Sequence, residues 1–166
     1  MNQSSFARQI IYRFGYLFDD YGFSVVHEED HSQSGHNAIV VLESPDCRIR
    51  VLQEREQILV DVGPLIAPED WSTPAPDLWF GLTYVTGFLS DGYDQWEYEY
   101  PDTSVDHDSR VDRQLIRLAH ILLPYCSQIV RLFRSENFAQ IQRDLLAYQE
   151  RQVEVWLKSL GSQERK

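Results

Sequence analysis

No lysine occurs among the first 100 residues, and that stretch holds only five arginines: Arg8, Arg13, Arg48, Arg50 and Arg55. Its 17 Asp and Glu leave a net charge of −12, whereas the rest of the chain, ten basic against nine acidic, comes to +1. So few cations disfavour nucleic-acid binding, because phosphate contacts need Lys and Arg. An acidic field of this kind either serves solubility alone or speeds the approach of a basic protein partner.

Cysteine is equally scarce. Cys47 and Cys126 are far apart in sequence, with no Cys or His at metal-ligand spacing around them. Both read as small buried hydrophobes rather than a disulfide framework. The first 23 residues lack the continuous apolar core of a signal peptide, and no run of 18 consecutive apolar residues occurs, so the expectation is a cytoplasmic protein without a membrane span. Nucleophile elbows (GxSxG), phosphate loops (GxxxxGK[ST]) and dinucleotide fingerprints (GxGxxG) are missing. The reading is therefore of a non-enzymatic protein with no cofactor and no bound metal.

What is present is a sheet signal. Residues 37–62 carry three apolar runs separated by short polar turns, the pattern of an antiparallel meander. Ala38, Val40 and Leu42 alternate with Ile39 and Val41, so this strand is apolar on both faces and belongs at the centre. Cys47, Ile49 and Val51 face one way and Arg48 and Arg50 the other; Glu43 and Asp61 stand where they pair with those arginines across strands. Before the meander, Phe6, Ile10, Phe14, Leu17 and Tyr21 predict one helix over 4–21, with Ser4 or Ser5 as cap and Gly22 as stop. Phe23–His27 reads as a first strand. After the meander a short helix is expected from Asp77, with Leu78, Leu82, Val85 and Leu89 as its stripe. A helix over 108–134, kinked at Pro124, and a second one from Ser135 to Gly161 predict a C-terminal hairpin. The fold class is α+β, a single domain over 1–161 with a tail over 162–166: N-terminal helix, antiparallel sheet of about four strands, a helix after the sheet, then the hairpin.

Two segments invite chemistry. His27-Glu28-Glu29-Asp30-His31 matches the letters of the zinc motif HExxH, which needs a helix to bring both imidazoles to one face. Val25-Val26 before it and Ser32-Gln33-Ser34-Gly35 after it favour a strand running into a loop, with His31 exposed and the two His side chains diverging. Gly35 and His36 also miss the spacing of the extended motif. The second segment, 91–109, mixes acids and aromatics without the order of a calcium loop. It reads as a loop whose aromatics pack onto the core, or as an edge strand or adhesive loop. In the adhesive case the partner-binding residues are Asp91, Tyr93, Asp94, Trp96, Glu97, Tyr98 and Glu99. His107 and His120 stand alone, and Gln152 interrupts the apolar stripe of the last helix.

The run from Tyr21-Gly22-Phe23 through Asn37–Ser44, Arg48-Ile49-Arg50 and Val60–Pro64 to Trp79–Leu89 resembles a group of uncharacterised small bacterial proteins, some labelled immunity proteins of polymorphic-toxin systems. The likeness covers roughly residues 15–90 and supplies no catalytic residue. The acidic first 100 residues, the acid–aromatic segment and the missing catalytic motifs lead to a non-enzymatic binding protein, an immunity-type inhibitor that covers a basic toxin or another cytosolic partner. Beside it stand an oligomeric module pairing through the 138–155 stripe, and a hydrolase using His27, Glu28 and His31. A monomer or weak homodimer is expected.

Overall fold

The period-2 run folds as read. In the computed structural model, which describes residues 3–31 and 37–163, β1 (Ser24–His31), β2 (Asn37–Glu43), β3 (Arg48–Glu54), β4 (Gln57–Gly63) and β5 (Phe80–Gly81) form one sheet in chain order. Every neighbouring pair is antiparallel. The turn from β2 to β3 is held by the Ser44 hydroxyl, which accepts from the amides of Asp46 and Cys47. Ala38, Val40, Leu42, Ile49, Val51, Ile58, Val60 and Val62 all enter the main core.

Helices cover that face. Ser4 caps α1 (Ser5–Arg13) by accepting from the Ala7 amide, and Gly22 ends α2 (Gly15–Tyr21) at φ 69°. The expected single helix is broken at the buried Phe14, next to Gly15, where helix propensity is poorest. α3 is Leu82–Leu89, and α4 (His107–Leu122) passes through a 3-10 turn at Pro124 into α5 (Cys126–Leu132). The continuous helical run His107–Leu132 is long and apolar enough, by length and composition, to cross a membrane. Its stripe of Val111, Leu115, Leu118, Leu122 and Ile129 is buried in this core. Cys47 and Cys126 are free and buried here too, and burial pushes both thiols up to about 12.

The opposite sheet face is not bare. Ile39, Val41 and Leu52 meet Ala67 and Trp79 from the proline-rich connection after β4, with Leu59, Ala75 and Leu78 packed alongside. That connection folds back closely at Gly63, where a Cβ would lie 2.5 Å from the Leu78 carbonyl oxygen. Among these apolar groups Arg48 pairs with Glu43 and Glu69, and Arg50 with Asp61, as the alternation required. The guanidinium of Arg50 also lies over the Trp79 ring at 4.5 Å.

Four further expectations need correction. The helix after the sheet begins at Leu82, not Asp77, because Phe80 and Gly81 pair with Val62 and Asp61 as a fifth strand while Leu78 and Trp79 turn to the second face. β1 continues to His31, since pairing with β2 satisfies its backbone despite its polar composition. The last helix, α6, spans Phe138–Gln163 after a 3-10 turn and runs through Gly161, which costs only about 1 kcal/mol relative to Ala inside a helix. Its main partner is α3 rather than residues 110–133: Gly87 admits the Tyr148 hydroxyl, and the Phe88 and Tyr148 rings meet edge-on at 5.9 Å.

Candidate partner-binding face

Residues 91–106 form no strand, so the edge-strand reading of this segment is not met, and the segment lies beside the unpaired part of β4. An open strand edge invites unwanted pairing, and here side chains close it. The Tyr98 hydroxyl accepts from the Val60 amide (3.3 Å) and donates to the Val60 carbonyl (3.1 Å). Next along the strand, Gln114 of α4 accepts from the Ile58 amide and donates to the Glu56 carbonyl. Burial raises the Tyr98 phenol well above its ordinary range, which keeps it a neutral donor.

Trp96 anchors the same segment. Its indole N–H donates to the Thr86 hydroxyl (2.9 Å), and its carbonyl accepts from Thr83 (2.9 Å). The Trp96 and Tyr98 rings meet edge-on with centroids 4.8 Å apart. Both residues thus fix the segment to the body, the packing role expected of a loop whose aromatics face the core. Asp94 accepts from the Tyr125 hydroxyl, and Glu99 pairs with Arg117 at 3.0 Å.

The remaining members of the seven face outward. Tyr93 is 93% exposed, and Asp91, in a left-handed conformation at φ 54°, is exposed beside it. Glu97 is exposed and makes no ion pair among the described residues. The structure therefore splits the seven into supports (Asp94, Trp96, Tyr98, Glu99) and presented groups (Asp91, Tyr93, Glu97).

The sequence reading missed the other half of the face. Beyond Tyr148 the second half of α6 projects from the body, leaving Val155 62%, Trp156 59% and Leu157 55% exposed, with Val153 and Leu160 nearby. A groove of about 500 Å³ runs between this half-helix, α3 and residues 95–97. Tyr84, Trp96, Tyr148 and Trp156 supply its aromatic rings, Gln152 lies in it, and Glu97 is its one charged lining residue among the described residues. The signal was the triplet Val155-Trp156-Leu157, which puts apolar groups off the 3-4 stripe and so outside any single buried face.

The HEEDH segment is strand rather than helix, as its flanks favoured, and His31 is exposed, but it lies within β1 and not on a loop. His27, Glu29 and His31 share one face of β1, and both imidazole Nε2 atoms bond the Glu29 carboxylate, at 2.8 and 3.1 Å. The two His side chains converge instead of diverging. These bonds hold the Glu29 carboxyl below its ordinary value. The helical geometry of HExxH is absent, Glu28 turns to the other side to accept from Ser4, and no metal-holding cluster occurs among the described residues. His36, the third member considered, lies outside the described residues.

No family model matches this chain, and no curated protein or solved structure is similar to it at a significant level.

Proposed function

We propose that this chain is a non-catalytic binding module that holds a basic protein partner in the cytoplasm, in the manner of an immunity-type inhibitor. The observation that carries the reading is the joined face: an acid–aromatic segment fixed rigidly by Trp96 and Tyr98, set against the exposed apolar half of α6. Interfaces draw on aromatic anchors in a fixed frame, and fixing them beforehand reduces the ordering cost of binding. Charge supports the same reading. Many of the arginines are already engaged by carboxylates, including Arg13, Arg48, Arg50, Arg110 and Arg117. The net −11 is therefore surplus carboxylate at the surface. Such a surplus steers a cationic partner and repels a second copy, so the free protein is a monomer or at most a weak homodimer.

Capture from an extract of the native host at low salt tests this. The full-length protein is expected to retain a basic protein. A variant carrying Asp91→Asn, which keeps a side chain suited to the left-handed backbone there, with Tyr93→Ala and Leu157→Asp, all at exposed positions, should lose it while keeping its unfolding midpoint. Retention of acidic proteins only, or equal retention by the variant, contradicts the reading.

A further inference from the structure

A groove lined by four aromatic rings and one carboxylate has a definite chemical preference. We infer that the groove between α3, residues 95–97 and the projecting half of α6 takes one arginine side chain of the partner, seated against Trp156 and Tyr84 with Glu97 as its counter-charge. The inference rests on the binding function proposed above and names the group that the face holds.

Aromatic faces attract cations, and a guanidinium suits them best because it is planar, weakly hydrated and able to stack while its edge still donates hydrogen bonds. The molecule already uses this chemistry around the groove. The Arg151 guanidinium lies 5.9 Å from the Tyr148 ring centre, and that of Arg117 lies 5.7 Å from Trp96. Trp96 is further held by Thr86 and Tyr98, so it serves as a fixed floor. The Trp156 indole, by contrast, has no stacking or cation partner among the described residues and is more than half exposed. Glu97 stands in the same position electrostatically: its neighbour Glu99 is neutralised by Arg117, whereas Glu97 pairs with nothing among the described residues. An open ring and an unneutralised carboxylate in one groove complement an arginine. A lysine matches the charge but is more strongly hydrated and has no plane to stack. A second copy of this chain would bring the same surplus of negative charge.

The test uses full-length protein labelled with ¹⁵N, the Trp156 indole resonance being assigned by its loss in Trp156→Phe. Three capped pentapeptides, Gly-Ser-Xaa-Ser-Gly with arginine, lysine or citrulline at the centre, are titrated in turn. The arginine peptide should shift the Trp156 indole saturably. Citrulline, planar but neutral, should bind about tenfold more weakly, and lysine should fall between. Glu97→Gln should weaken the arginine peptide by about tenfold, while Glu54→Gln, at a distant exposed acid, should change nothing. Equal binding of citrulline, indifference to Glu97→Gln, or an unmoved indole overturns the site. The two readings fail separately. A captured basic partner that survives both Glu97→Gln and Trp156→Ala keeps the binding function and removes the arginine site. A saturable arginine peptide with no captured partner does the reverse.

Discussion

Arg50→Ala should lower the unfolding free energy by about 3–5 kcal/mol at neutral pH, because it leaves Asp61 as a buried carboxylate with no cation. The pair lies between β3 and β4 at 2.6 Å, with the Asp61 side chain 16% exposed. The guanidinium also covers Trp79, so packing is lost along with charge. The pH dependence follows from direction. Burial already raises the Asp61 carboxyl above the ordinary 3.8, with Arg50 opposing it. Removing Arg50 raises it further. A raised carboxyl costs nothing below its unfolded value, and the cost grows as pH rises through that value, reaching its full size above the folded one. The deficit of Arg50→Ala should therefore be largest at pH 7 and shrink toward pH 4. Adding Asp61→Asn should recover part of it. Urea unfolding at the two pH values checks this; a deficit that does not vary with pH would refute the buried-charge explanation.

Phe133→Ala should cost about 3 kcal/mol, the lower end of the range for removing a buried Phe. Phe133 is fully buried at the end of α5 and stacks on Phe80 of β5 and Phe138 at the start of α6, each with centroids 6.1 Å apart. One ring thus joins the fifth strand to the last two helices. It also lines a surface cavity of about 460 Å³ with Pro45, Pro64 and Leu65, so the site has room to relax, which is why the lower end applies. Phe133→Leu should cost about 1–1.5 kcal/mol. A midpoint shift at unchanged urea slope is the expected signature. A loss below 1 kcal/mol for the alanine variant would mean that α6 is held elsewhere.

Alternation made much of the sheet readable. Ile39 and Val41 against Val40 and Leu42 implied a strand buried on both sides, and Arg48 and Arg50 facing Glu43 and Asp61 implied the ion pairs found there. Two residues have no period, so Phe80-Gly81 gave no strand signal and the apolar letters around it imitated a helix. β1 past His27 is polar on both faces, and only its partner β2 makes it a strand. The stripe of α6 marked a face without an address: nothing local says that Tyr148 meets Gly87. The candidate face was half legible for the same reason. Composition picked out residues 91–99, but whether Trp96 and Tyr98 turn inward depends on Thr86 in the neighbouring helix and on Val60, which is 38 residues from Tyr98. Trp156 joins them only because α6 crosses α3.

Backbone hydrogen exchange of the complex with the captured basic partner, compared with the free protein, tests the proposed face most directly. Protection should appear over residues 91–97 and 152–160, the two strips of the proposed face, with β1 unchanged. Protection confined to β1 or to the proline-rich connection over 64–79, with both strips exchanging as in the free protein, would contradict it.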